Sequence, residues 1–201
     1  MPAADMILNF LIFAFTLALL VKFARKEGRW TSEHLKKAFR FFTCQSNVLC
    51  AAVCLLTAVS GIFGSLPKWV WLLKYIGTAA VTVTMMTVFL FLAPGVGKGW
   101  AKKLIGTPRD FIMHLLNPVI ALVSFLVFEK RGMTFPQAML GVLPVVLYGI
   151  LYIRRTQFGP QENRWKDFYG FNRGGKLWLS MICMLTGTVL ICLGMMALQN
   201  A

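Results

Sequence analysis

Acid is scarce in this chain. Seven Asp and Glu stand against 21 Lys and Arg in 201 residues, and there are two histidines. Only 14% of residues are charged while 58% are hydrophobic, too little charge to clothe a soluble domain of this length. Zinc spacing is lacking as well. Cys44, Cys50, Cys54, Cys183 and Cys192 all fall within apolar runs and none forms a C-x-x-C pair, which argues against a metal site or a disulfide framework. No repeat is strong enough to mark a duplicated transporter half. No basic region precedes the first apolar run and no small-x-small cleavage site follows it, so that run reads as a retained anchor. Gly95-Val96-Gly97-Lys98-Gly99 follows a membrane span rather than a strand, so it is not a phosphate loop. No cofactor is indicated.

What is present is apolar length. A helix needs about 20 mostly apolar residues to cross a bilayer, and six stretches qualify: 6–23, 39–62, 69–94, 111–128, 135–153 and 177–198. The expected fold class is all-α, a polytopic membrane protein with a bundle of six transmembrane helices in a single domain over 1–201. Little chain remains for a separate soluble domain.

The excess of +14 charges is not a nucleic-acid footprint, because it sits in the loops between spans rather than on one face of a folded domain. The first loop carries Lys22, Arg25, Lys26, Arg29, Lys36, Lys37 and Arg40. The third carries Lys98, Lys102, Lys103 and Arg109, and the fifth carries Arg154, Arg155, Arg164, Lys166, Arg173 and Lys176. The other side has Lys68, Lys130 and Arg131, with Lys74 inside the third span, from which it is expected to snorkel to the outer interface. Short basic loops stay cytoplasmic. Loops 24–38, 95–110 and 154–176 are therefore expected inside and both termini outside. The first loop is either a surface amphipathic helix or a solvated linker, with His34 solvated. The aromatics of Trp165–Phe171 fit a headgroup interface.

Two polar words interrupt the apolar spans: Phe41-Phe42-Thr43-Cys44-Gln45-Ser46-Asn47 and His114-Leu115-Leu116-Asn117-Pro118. Polar groups in hydrocarbon mark either a site or a satisfied packing contact. Thr43 lies about 5 Å inward of Arg40, and His114 about 7–8 Å inward of Arg109, at 1.5 Å per helical residue. Both spans enter from the same side, so the two residues share one depth. Thr43, Ser46, Asn47 and Cys50 form one helical stripe, and Asp110, His114 and Asn117 form another. Such stripes also serve simply to pack membrane helices.

The chemistry open to the pair is acyl transfer. A threonine hydroxyl needs a base to accept its proton, and a neutral His114 can be that base and later protonate the leaving alcohol. Asn47, Asn117, Gln45 and Ser46 are candidate oxyanion donors. Asp110 either fixes the imidazole tautomer or pairs with Arg109 or Lys103 at the headgroups. Arg40 or Arg109 can bind a substrate carboxylate. Thr78, Thr82, Thr84 and Thr87 are expected to bond back to helix carbonyls. Tyr148 and Tyr152 either line the cavity or anchor their helix.

On the two polar words, supported by the threonine-rich third span that ends in Leu92-Ala93-Pro94, the chain resembles a family of six-span membrane proteins. This is the family of the androgen-induced and androgen-dependent tissue-factor-pathway-inhibitor-regulating proteins. The Gln45-Ser46-Asn47 tail is similar to its bacterial branch, while the 165–171 loop lacks the family's proline-bearing aromatic motif. The resemblance implies a threonine hydrolase with Thr43 as nucleophile and His114 as base, acting on fatty acid esters of hydroxy fatty acids or similar membrane lipid esters. Two other readings stand beside it. One is a small-molecule or proton transporter using His114, Lys74 and Asp110. The other is a non-enzymatic lipid-binding protein in which both words are packing.

Overall fold

The computed structural model describes residues 1–26 and 29–201, with the side chains at 26 and 163 set aside. Six helices, each of 21 to 29 residues, are long and apolar enough to cross a membrane. They are α1 (Ala3–Ala24), α3 (Phe42–Ile62), α4 (Lys68–Val96), α6 (Pro108–Phe128), α7 (Phe135–Phe158) and α8 (Leu177–Asn200). The all-α polytopic bundle read from the sequence is what the chain forms. Shorter pieces fill the loops: a hairpin of β1 (Arg25–Lys26) and β2 (Arg29–Trp30), then α2 (Ser32–Ala38), and later α5 (Trp100–Leu104). Residues 27 and 28 of the first loop lie outside the described residues. That loop is thus neither a bare linker nor one amphipathic helix throughout, since Arg25 pairs with Trp30 and Lys26 with Arg29.

The bundle is organised inside-out relative to a soluble protein. Large apolar side chains such as Phe10, Ile62, Leu90 and Ile182 face outward, as hydrocarbon permits. Polar side chains face inward, where they can find partners. On α1 the buried residues Asp5, Asn9, Ile12 and Thr16 recur at i, i+4, i+7 and i+11, one helical face. Close approach is set by small residues. A Cβ built on Gly77 of α4 would lie 2.7 Å from Val53 Cγ2 and 3.1 Å from the Cys50 backbone of α3.

Several helices widen locally into π turns. The one at Ile112–Leu116 has a clear cause. Pro118 lacks the N–H that an α-helix would direct at the His114 carbonyl, and its ring crowds that oxygen. The chain relieves this with an extra residue, and the Asn117 N–H reaches back to Ile112. His114 therefore sits inside the widened turn, a geometry frequent at functional sites.

Helix ends differ by a few residues from the apolar runs. α7 continues to Phe158, past the expected end at Ile153, with Arg154 and Arg155 in its last turns, where cations favour the helix C-terminus. α3 begins at Phe42 rather than Phe39, because α2 ends at Ala38 and the chain turns through Phe39–Phe41.

Candidate active site

α3 starts without help from its own sequence. The residue before its first turn is Phe41, which offers no capping side chain. The first N–H groups of a helix need partners, and here the Phe42 N–H donates to the Tyr169 hydroxyl at 3.0 Å. The fifth loop is in this way fastened over the start of α3. Phe41 packs on Phe168 with ring centroids 4.5 Å apart, and Tyr169 stacks on Phe171 at 5.1 Å. The Tyr148 hydroxyl donates to the Arg40 carbonyl at 2.7 Å. The aromatics of 165–171 pack together as a roof, and the Tyr169 hydroxyl holds it to the backbone of α3.

Beneath this roof lies a cavity of about 940 Å³, and both Thr43 and His114 line it. Its walls are mostly apolar side chains of α3, α4, α6, α7 and α8, and its charged lining residues are Lys37, Arg109 and Asp110. Cavities of this size and character hold small apolar ligands oriented by a few polar groups. His34, read as merely solvated, is exposed and also borders this space.

His114 is oriented by backbone. Its Nδ1 lies 2.7 Å from the Leu104 carbonyl at the end of α5. A carbonyl only accepts, so Nδ1 carries the hydrogen and a neutral ring keeps its lone pair on Nε2. Asp110 has other partners. It takes Arg109 Nε at 2.7 Å, Arg109 Nη2 at 3.1 Å and the Thr107 hydroxyl at 2.7 Å. Of the two roles open to Asp110, its hydrogen bonds are those of the headgroup pair. Sequence reasoning had no means of finding Leu104, because a carbonyl is present at every residue.

Thr43 is the second residue of α3, and among the described residues its hydroxyl has no hydrogen-bond partner. The residues that follow it on the stripe are committed elsewhere. Asn47 is fully buried and its amide bridges the Thr43 carbonyl at 2.8 Å and the Met113 carbonyl at 3.1 Å. Asn117 donates to Asn47 Oδ1 at 2.9 Å and to the Thr16 hydroxyl at 3.0 Å. Ser46 Oγ meets Thr84 Oγ1 at 2.8 Å and also donates to the Thr43 carbonyl at 3.2 Å. Gln45 donates to the Phe39 carbonyl at 2.7 Å. These four side chains brace the backbone that carries Thr43 and His114, and none of them lines the cavity. Arg109 lines it; Arg40 borders a smaller surface groove beside Arg155 and Trp165.

Of the α4 threonines, Thr82 and Thr84 bond back to Thr78 and Ala80 as expected. Thr87 instead points its hydroxyl at Met184 Sδ, 3.9 Å away, and lines the cavity. Tyr148 and Tyr152 line it too. Lys74 does not snorkel. It is fully buried at the opposite end of the bundle, where it pairs with Glu129. The expectation failed because partners arriving from α1 and α6 compensate the charge more fully than stretching toward water would.

The Asp167 carboxyl ties the roof together. It accepts from the Tyr152 hydroxyl and from the backbone N–H of Phe171 and Asn172. Partial burial pushes this carboxyl up, but those hydrogen bonds and one from Gly170 outweigh it and hold it below the usual carboxylate range. Burial pushes the Tyr169 phenol up, against weaker opposing hydrogen bonds.

Comparison with known proteins finds no matching family model, no matching curated protein and no matching solved structure. The candidate site therefore has to be read from its own geometry.

Proposed function

We propose that this integral membrane protein is an intramembrane hydrolase of lipid esters, with Thr43 as nucleophile and His114 as general base. One observation carries the reading: a threonine hydroxyl and an imidazole Nε2, each without a hydrogen-bond partner among the described residues, border the same apolar cavity of about 940 Å³. His114 Nε2 takes the Thr43 proton as Oγ1 bonds to the ester carbonyl carbon. The tetrahedral intermediate then expels the alcohol, which receives the proton from His114, and water releases the acid from the acyl-threonine by the same steps in reverse.

The oxyanion needs donors that are not already occupied. The amides of Asn47 and Asn117 are spent on helix packing, so the Thr43 backbone N–H is better suited, with the Thr87 hydroxyl available once it leaves its weak thioether acceptor on Met184. The first supports this role because it belongs to the opening turn of a 21-residue helix, where N–H groups lack intrahelical acceptors and the helix dipole favours negative charge. Arg109 and Lys37 at the mouth suit a substrate carboxylate, as a fatty acid ester of a hydroxy fatty acid would present. With the basic loops cytoplasmic by the charge rule, the cavity faces the cytoplasmic leaflet, both termini lie outside, and a bacterial plasma membrane is the fitting location.

The test is covalent. A fluorophosphonate probe added to the purified protein in lipid nanodiscs is expected to modify the peptide carrying Thr43, with no adduct in Thr43→Ala. Equal labelling of wild type and Thr43→Ala would overturn the assignment.

A further inference from the structure

A second polar centre lies at the end of the bundle away from the cavity. Asp5 and Asn9 of α1, Lys74 of α4, and Ser124 and Glu129 at the end of α6 are each 0–3% exposed. Lys74 Nζ lies 3.3 Å from Glu129 Oε1, donates to Ser124 Oγ at 3.0 Å and bonds Asn9 Oδ1. Asn9 Nδ2 reaches Ser124 Oγ at 3.0 Å, Asp5 Oδ1 at 3.2 Å and Glu129 Oε1 at 3.2 Å. Ser124 Oγ lies 2.7 Å from Asp5 Oδ1 and 3.1 Å from Glu129 Oε1. Every donor that reaches a carboxyl meets its first oxygen. The second oxygens, Asp5 Oδ2 and Glu129 Oε2, are buried and have no hydrogen-bond partner among the described residues.

The charges do not balance. One ammonium faces two carboxyl groups. From α3 the cluster is bordered by the thiols of Cys54 and Cys50, and ahead of α1 by the Met1 amino group, which makes no ion pair with Asp5 among the described residues. With both carboxyls ionised, this buried site would hold one uncompensated negative charge. A buried charge without a partner is strongly disfavoured, and a group that can take up a proton does so instead.

We propose that the Asp5–Glu129 pair is a proton-binding site, in which one proton is bound by the two carboxyls and resides on Asp5. Glu129 is the ionised member, because it alone makes the direct pair with Lys74. The proton cancels the excess charge. A metal ion fits less well. Lys74 already places a positive charge inside the cluster, and no group of three or more His, Cys, Asp or Glu among the described residues can hold a metal. The site is independent of Thr43 and His114, so α1 is docked onto α4 and α6 through a contact that is whole only while the proton is bound.

Infrared spectroscopy of the full chain in lipid bilayers tests this directly. At neutral pH the wild type is expected to show the C=O stretch of a protonated carboxyl. Carboxyl-¹³C aspartate labelling is expected to shift that band, Asp5→Asn to abolish it, and Thr43→Ala to leave it in place. The wild-type labelling keeps the test open if Asp5→Asn fails to fold. Absence of the band, or a band that ignores the aspartate label, would overturn the proposal. So would thermal stabilisation by sodium chloride over choline chloride at equal ionic strength without the band, which would make the ligand a sodium ion.

Discussion

Asn117 of α6 donates to Asn47 of α3 at 2.9 Å, and Asn47 in turn spans the carbonyls of Thr43 and Met113. The residue next to His114 and the residue proposed as nucleophile are thereby held by a single buried amide. The bond also settles which end of the Asn47 side chain is oxygen, since both carbonyls require donors. The two asparagines thus fix the distance between the helices that bear the site.

This coupling is measurable. Asn47→Ala removes the side-chain donor to the Met113 carbonyl and the acceptor of one Asn117 hydrogen, and leaves the Thr43 carbonyl only the Ser46 hydroxyl, so it is expected to cost more than Asn117→Ala. Interhelical hydrogen bonds in membranes are worth about 0.6–2 kcal/mol. A double-mutant cycle on unfolding in micelles should give a coupling of about 0.5–2 kcal/mol. A coupling near zero would mean that the bond contributes nothing.

The Leu104 bond to Nδ1 separates two histidine replacements. Asn at 114 can place an N–H near the Nδ1 position and keep the bond to Leu104, whereas Gln reaches toward Nε2 and loses it. Both remove the base, at a loss of about 10²–10⁴ in rate. Only His114→Gln is expected to lower thermal stability as well. Nitrogen NMR of the wild-type ring should find the hydrogen on Nδ1.

Acid should release the roof late. The Asp167 carboxyl lies below its ordinary value in the folded protein, so its contribution to stability is present above the unfolded value of about 4 and is lost as pH falls through the lower folded value. Hydrogen exchange at the Phe171 and Asn172 amides is expected to keep its protection, corrected for intrinsic rates, from neutral pH down to about 4, and to lose it below. In Asp167→Ala the same amides should exchange faster already at neutral pH, with the six spans unchanged.

Gly77→Ala tests the closest contact between α3 and α4. The added methyl would lie 2.7 Å from Val53 Cγ2 and 3.1 Å from Cys50 Cα. The second of these is backbone and cannot swing aside. Overpacking of this kind costs about 1–3 kcal/mol, read as a lower melting temperature. Val53→Ala in the same chain should recover only part of it.

The six spans were legible because the bilayer demands apolar length, which is written residue by residue. The shared level of Thr43 and His114 was legible for a related reason, since loop charge and helical rise together set depth. The jobs of their neighbours were not. Asn47, Asn117, Gln45 and Ser46 looked like oxyanion donors because they have N–H and O–H groups at the right level, yet those hydrogens go to carbonyls and hydroxyls that no local pattern identifies. Asp5 and Asn9 were overlooked although they recur with Ile12 and Thr16 on one face of α1; their spacing was visible, but Lys74 and Glu129 as partners were not.

The sequence by itself determined that this chain crosses a membrane six times and carries a hydroxyl and an imidazole at one depth. These are properties of hydrophobicity and of a fixed rise per residue, and they need no partner. Only the tertiary structure decided which nitrogen of His114 is free, that Tyr169 caps α3 from 127 residues away, and that Lys74 is enclosed with two carboxyls. Each of those is a pairing between distant segments. In a medium without water, a polar group's role is set by the partner that packing brings to it.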